Sequence, residues 1–380
     1  RPDLDELRSA ISHAPAFVDS FLALYRSHHS TLEKMMHLGS ELMPESLVRA
    51  SPGAAIHDFF RENGNHFEAL ERATEALAAE EPHDPYTAQQ VLQKRLLENH
   101  GYRVVTSPID SLPDTLRVWD EAERKIYLSE ALDHQNRTFQ LAHALCFIEF
   151  SDVLDAIAGS TSFTSESHAT RCHVELANYF AAAFLMPYDA FLDKAEETRY
   201  DLDRLAAAFA VSIEQAAQRL TTLQRDGRRG VPFFFLRIDK AGNVTKRFNA
   251  TSFSIAEYGG ACPVWNVHVA FRTPGVLLPQ LVELPDGQQF FTISRTTERP
   301  VYSMETQDRR LAIALGCESQ HAHRVIYASG LDLSPSGAAS KIGINCHLCP
   351  RHNCGQRAYD PIVTELTTDT KRRGETRYES

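Results

Sequence analysis

The chain of 380 residues contains no apolar run approaching the ~18 that a membrane-spanning helix requires. Its longest candidate, VELANYFAAAFLMP, is interrupted by polar side chains, and the N-terminus shows no signal-peptide pattern. A cytoplasmic protein is expected. Cysteine is sparse as well: seven residues, odd in number and weighted toward one end, which excludes a disulfide scaffold and favours metal ligation. Positive charge is also in deficit, with 39 Lys and Arg against 50 Asp and Glu for a net charge of −11. Gripping a nucleic-acid backbone needs a basic face, so the chain is not expected to hold DNA by itself. It begins at Arg1 without an initiator methionine, from which an upstream segment is inferred. What remains, 43% hydrophobic and 23% charged, is ordinary globular composition with length for two or three domains.

Apolar residues recur at intervals of three and four in PAFVDSFLALYRSHHSTLEKMM and in NHFEALERATEALAAE, so residues 1–84 read as a helical connector or dimerisation segment with a break in ESLVRASPGAAIHDFF. In 85–228 the pattern mixes. YTAQQVLQKRLLENHGYRVV predicts a helix closed by glycine and then a strand, and TLRVWDEAERKIYLSEAL a hairpin. Helical runs follow; the last two, YDLDRLAAAFA and SIEQAAQRLTTLQRDG, have the size of a helix-turn-helix, but their alanine-rich faces suit packing better than DNA reading. Residues 229–362 turn to strands, with hairpins around AGN and PDG and then a helix over QDRRLAIALGCESQHAHRVIY. Residues 363–380 are polar and read as a flexible tail. The expected class is α+β.

In FQLAHALCFIEF, His143 stands where a zinc protease carries H-E-x-x-H, a helix that presents two imidazoles to one metal and a glutamate to its bound water. Ala144 replaces the glutamate and Phe147 the second histidine, so hydrolysis is not expected. Glu175, in VELANYFAAAFLMP, resembles the third ligand of the ImmA/IrrE metallopeptidases, on an E-x-x-A-N helix ending in L-M-P. The resemblance implies a retained fold with a degenerate site over 85–228. An active peptidase would need a substitute ligand such as His168 or His173.

INCHLCPRHNCGQRA carries the strongest chemical signal. Cys346, Cys349 and Cys354 follow C-x2-C-x4-C, a spacing that lets a tight turn aim the sulfurs at one centre. Cys317, on the preceding predicted helix, is the expected fourth ligand. The spacing resembles that of WhiB-like regulators, departing by one residue, and the expected cofactor is a [4Fe-4S] cluster or a structural zinc ion. His347 and His352 are possible zinc substitutes. Cys146 and Cys172 read as buried small hydrophobes, while Cys262, in YGGACPVWNVH, is harder to dismiss.

Three stretches, KAGNVTKRFNATSFSIAEYGGACPVWNVHVAF, LGCESQHAHRVIYASGLDL and IGINCHLCPRHNCGQRAYDP, together resemble the C-terminal domain of the short-chain fatty acyl-coenzyme A regulators. The resemblance implies an effector-sensing portion of a transcription factor, not an enzyme, with the peptidase-like domain as scaffold and an N-terminal helix-turn-helix lying outside this sequence. It implies binding of a short acyl-coenzyme A, propionyl-coenzyme A before others, control of propionate or acetate metabolism genes, operator DNA reached through the helix-turn-helix, and a homodimer. A ligand of that kind needs cations for phosphates and a compact apolar end. Arg237, Lys246, Arg247, Arg272 and Arg295 are the expected phosphate contacts; Phe233, Phe235, Trp265 and His268 are the expected apolar lining. The rival reading is an iron–sulfur or metal-sensing regulator that binds no acyl-coenzyme A.

Overall fold

The computed structural model describes residues 12–16, 18, 20, 21, 24, 52–112, 114–160, 163, 166–253, 260–297, 310–333, 339–361 and 366. It divides into two units, Arg1–Gly53 and Ala54–Ser380. In the first, most of the described positions are helical; the rest of the expected helical region before residue 52 and, apart from 366, the expected tail lie outside the described residues.

Helix α1 (Pro52–Glu62) opens at the expected helix breaker, because proline's fixed φ and missing N–H suit a first helical turn. It is followed by α2 (Glu68–Glu80) and α3 (Ala88–His100). Gly101 closes α3 as expected: at φ 72° its N–H bonds to the Leu97 carbonyl while Tyr102 N–H reaches Leu96. Three strands, β1 (Arg103–Ser107), β2 (Arg117–Asp120) and β3 (Lys125–Ser129), form a sheet of order β1-β3-β2, with β1 parallel and β2 antiparallel to β3. Helix α4 (His134–Glu149) is capped by Asp133, whose carboxylate accepts from Asn136 N–H at 2.8 Å. After α5 (Ser151–Ala158) comes α6 (Glu166–Leu185), which packs along α4 and α2. Helices α7 (Tyr188–Glu197), α8 (Leu202–Ala208) and α9 (Ile213–Leu220) complete this part; Ser212 and Gln215 form a reciprocal cap at the start of α9.

The second sheet is built from β4 (Phe234–Ile238), β5 (Val244–Asn249), β6 (Leu278–Glu283), β7 (Gln289–Thr297), β8 (Leu311–Glu318) and β9 (Ser340–Lys341), in the order β5-β4-β8-β7-β6-β9. Both expected hairpins form, β4 with β5 and β6 with β7. The expected helix over residues 307–327 does not. LAIALGCE is instead β8, paired on both sides by β4 and β7. A continuous apolar run can be a central strand, because a strand covered on both faces needs no polar alternation.

Each face of this sheet joins a different core. Phe235, Phe291, Ile293, Ile313, Leu315 and Cys317 belong to the large cluster shared with the helices. Phe234, Leu236, Phe290, Ala312 and Ala314 belong to a second cluster closed by Cys262, Trp265 and Val267. Gly316 opposes Phe234 across the ladder; a Cβ there would lie 2.5 Å from the Phe234 ring, so glycine makes room for an aromatic stack of Phe234 on Phe253.

Candidate functional site

In the peptidase-like domain, α4 presents His143 toward β2. Arg117 Nη1 donates to His143 Nδ1 at 3.1 Å and to the Gln140 carbonyl at 2.7 Å. Since a guanidinium only donates, Nδ1 is the accepting nitrogen of a neutral ring. Burial pushes this imidazole down to about 3, assisted by Arg117 and Lys246 and opposed by the Val174 bond. Phe147 packs on the ring at 5.2 Å where the second histidine of a protease would stand. Glu175, on α6, holds Asn178 at 3.2 Å and faces Lys246 Nζ at 3.9 Å. His173 pairs with Asp155 and His168 is buried, and among the described residues neither completes a set of three metal-holding side chains with His143.

The surroundings are cationic. Lys246 lies over the Phe248 ring, and Phe248 meets Phe60 of α1. One turn before Phe60, His57 is pushed down to about 4 by burial and then by Arg247, and its Nε2 is buried with no hydrogen-bond partner. Arg117 is lowered to about 10 by burial and still carries its charge at neutral pH. Arg117 and Lys246 thus bear on His143, with the Glu175 carboxylate facing Lys246, and Arg247 bears on His57.

A second constellation lies beyond the other face of the sheet. Cys262, Cys346, Cys349 and Cys354 line one pocket with Gly343, Arg351 and Arg357. The loop that holds them is tied to the sheet edge: β9 runs parallel to β6, Ile342 N–H donates to the Glu283 carbonyl at 3.0 Å, and Arg351 Nη2 donates to that same carbonyl at 2.9 Å. A Cβ on Gly343 would stand 2.8 Å from Cys349 Sγ, so the chain can pass this thiol only as glycine. Burial raises the Cys262 thiol, while the Gly343 and Val264 backbones oppose the shift and the neighbouring Cys346 and Cys354 thiols add to it. The cavity among them is about 10 Å³. Among the described residues, no three His, Cys, Asp or Glu side chains stand at metal-holding separations. The four thiols share a pocket without yet forming a closed set.

Cys317 is not with them. It is fully buried on β8, in register with Phe291 and on the face that carries Ile313 and Leu315, and burial pushes its thiol up to about 12. Cys262 lies on the opposite side of the sheet. The expectation of Cys317 as fourth ligand therefore fails with the helix it rested on: strand side chains alternate, and this one points into the helical core. Cys262 had one local signal, a proline directly after it as after Cys349. His347 stacks on Tyr359 at 4.6 Å, and His352 is exposed. As expected, Cys146 and Cys172 are core thiols.

Residues 97–221 match the family model for the IrrE N-terminal-like domain, and residues 222–378 match that for the short-chain fatty acyl coenzyme A regulator C-terminal domain. The propionyl-CoA carboxylase regulator of Cereibacter sphaeroides is 41% identical over 379 residues, 100% of this chain and 80% of that protein. The chain belongs to the short-chain fatty acyl coenzyme A regulator family. The HTH-type transcriptional regulator RamB of Mycobacterium tuberculosis is 38% identical over 97% of this chain and 79% of its own length. A solved Mycobacterium tuberculosis transcriptional regulator superposes with a TM-score of 0.81 at 34% identity, covering 87% of this chain and 100% of that one. Among the described residues, no helix is long and apolar enough to cross a membrane.

The structure separates the ligand residues expected in this acyl coenzyme A regulator family member. Phe233, Phe235 and Trp265 are core: Phe233 packs on Tyr200 at 5.4 Å, Phe235 near Phe248, and Trp265 on Phe253 with its Nε1–H on Thr292 Oγ1 at 3.2 Å. Sheet faces buried on both sides absorbed them. His268 braces the AGN turn, its Nε2 3.2 Å from the Ala261 carbonyl and its ring where a Gly242 Cβ would go. Arg237 is paired with Glu214 at 2.5 Å. Arg295 is paired with Asp203 at 2.7 Å at the edge of a groove of about 620 Å³ that also includes Tyr86, His134 and Ser212. Arg272 is exposed at the end of a short 3-10 turn. Of the nine, Lys246 acts on His143 together with Arg117, while Arg247, the next residue on β5 and so on its opposite face, acts on His57; the sequence did not single out Arg117 or His57.

Proposed function

We propose that this chain is the effector-binding portion of a transcriptional regulator that responds to a short-chain acyl-coenzyme A, with propionyl-coenzyme A favoured. Its relatives are named as regulators, one of them of propionyl-CoA carboxylase. The observation that carries the reading is the conversion of the peptidase-like site: the glutamate and second histidine are Ala144 and Phe147, and the remaining His143 is held neutral with the cations Arg117 and Lys246 bearing on it. Such a site is suited to a polyanion and not to hydrolysis. In this reading Lys246 and Arg247 receive effector phosphates. Phe248 and Phe60 are buried in the helical core beside Lys246, so in this reading an acyl end seated there has to part them.

Helix α1 contributes Phe60 and His57 to this region, and in this reading the effector acts through α1. A ligand that prefers one arrangement of α1 shifts the population of the DNA-competent form by its differential affinity. In the full protein, a homodimer would then meet operator DNA through the helix-turn-helix that the relatives' names specify, at genes of propionate or acetate metabolism.

Cys262, Cys346, Cys349 and Cys354 are proposed to hold the cofactor, a [4Fe-4S] cluster or zinc, with the loop closing on it. The donor set suits either, and Gly343 leaves the Cys349 sulfur unhindered. As the loop stands, no three of these thiols are at metal-holding separations, so either group requires the loop to rearrange, and a cluster more so in a cavity of about 10 Å³.

Isothermal titration with propionyl-coenzyme A, acetyl-coenzyme A and free coenzyme A tests the assignment. Saturable binding that depends on the acyl group is expected. Folded, metal-replete protein that binds none of the three would overturn it and leave the thiol pocket as the sensor.

A further inference from the structure

Arg357 is 5% exposed and lines the thiol pocket. Its fork is spent on the loop's own backbone. Nη1 donates to the carbonyls of Cys346, at 3.1 Å, and Tyr359, at 3.3 Å; Nη2 donates to those of Cys349, at 3.1 Å, and Arg351. The residue's own N–H closes on the Cys354 carbonyl at 3.0 Å. One side chain therefore gathers the backbones of Cys346 and Cys349 and is anchored directly to that of Cys354. Two features of this arrangement are unresolved by the loop itself. The guanidinium's hydrogen bonds all go to neutral carbonyls, although a buried cation without a counter-charge is costly. Among the described residues, its Nε is buried with no hydrogen-bond partner. This unused donor and this buried guanidinium line the same pocket as the four thiols, none of which stands within hydrogen-bonding distance of Nε.

We propose that Arg357 is the positioning residue of the thiolate site: it holds the C-x2-C-x4-C loop in register by its carbonyl bonds, and its Nε–H and charge are directed to a ligating sulfur. The inference rests on the reading that Cys262, Cys346, Cys349 and Cys354 hold a metal centre. Four thiolates around a divalent ion or a [4Fe-4S] core leave a net negative charge, which the buried guanidinium matches. An N–H donated to a thiolate withdraws electron density from the sulfur and lowers its tendency to be protonated and lost. Lysine keeps the charge but cannot bridge the same carbonyls, and glutamine keeps neither charge nor fork.

The test uses the whole chain purified anaerobically, with Arg357→Lys, Arg357→Gln and Cys262→Ser. For each, bound iron and zinc are measured, together with the rate at which excess chelator removes the metal and the position of the thiolate-to-metal absorption band. The expected order of release is wild type slowest, Arg357→Lys intermediate and Arg357→Gln fastest, by about 10–100-fold, the usual weight of a residue behind the ligands. The band should also shift in both variants, a change that looser packing alone does not produce. If Arg357→Gln fails to fold, Arg357→Lys decides. Wild-type release rates and an unmoved band in Arg357→Lys, with metal lost in Cys262→Ser, overturn the role of Arg357 and leave the thiolate reading intact. Metal-free wild type after reconstitution overturns both.

Discussion

Glu71 on α2 and Arg219 on α9 meet in a two-pronged ion pair, Nη1 to Oε1 at 2.7 Å and Nη2 to Oε2 at 2.9 Å, with neither side chain more than 1% exposed. Tyr179 donates to the same carboxylate at 2.5 Å, and the guanidinium also reaches the Met186 carbonyl and Thr222. On the same face of α2, Glu68 and Glu75 both engage Arg225. This is how the acidic helix following α1 is fixed to the peptidase-like domain.

Removing one partner of the buried pair strands the other without solvent or counter-ion. Glu71→Ala and Arg219→Ala should each cost about 3–5 kcal/mol in urea unfolding. A double Glu71→Met, Arg219→Leu variant should recover much of that loss, because no charge is left buried. A double variant as unstable as the singles would show that the pair is valued for its hydrogen-bond geometry and not for charge compensation.

Protonation should destabilise the fold at mildly acidic pH. In the unfolded chain both histidines titrate near 6.5; in the folded chain His57 and His143 do so near 4 and 3. Between these values the unfolded state binds more protons, so stability rises with pH, is complete above 6.5, and is lost as pH falls through that window. Urea midpoints between pH 7.5 and 4.5 check this. Replacing His57 and His143 by Gln should flatten the dependence.

Binding a phosphate-bearing effector at the cationic spot should reverse part of that field and take up protons. Calorimetric enthalpies at pH 6.5 in buffers of different ionisation heat would reveal the uptake. Lys246→Ala and Arg247→Ala should each weaken propionyl-coenzyme A by about 1.5–3 kcal/mol, roughly tenfold or more in Kd. Arg295→Ala should leave affinity unchanged. The opposite pattern would place the effector in the groove beside α8 and α9.

Metal retention separates the two candidates for the fourth thiol. Cys262→Ser should lose metal as completely as Cys349→Ser, whereas Cys317→Ser should retain it, since its thiol faces the helical core. Slower alkylation of Cys262 in the loaded protein than in the stripped protein would report the same thing chemically.

Much of this architecture was legible along the chain because it is local. Gly101 after a helical run, the PDG and AGN turns, and the apolar periods of α4 and α6 act within a few residues of themselves. The replacement of glutamate by Ala144 and of histidine by Phe147 can likewise be read without coordinates, since it is a statement about which side chains are present. The sheet aromatics were the opposite case. Phe233, Phe235 and Trp265 are as plausible in a pocket as in a core, and only the covering of both faces of the second sheet decided for the core.

The family, the loss of the hydrolytic residues and the C-x2-C-x4-C loop were determined by sequence alone, because residue identity and short spacing carry them. Tertiary structure decided which partners those residues have. LAIALGCE reads equally well as a buried helix or a central strand, and that choice sends the Cys317 side chain to one face of a sheet while Cys262 closes the other. Likewise, His57 and Arg247 are almost two hundred residues apart, and Arg117 and Lys246 well over a hundred; Arg247 acts on His57 only once α1 and β5 are folded together, and Arg117 and Lys246 act on His143 only once β2, α4 and β5 are. Charge and thiol chemistry act over a few ångströms of space, a distance that sequence separation does not measure.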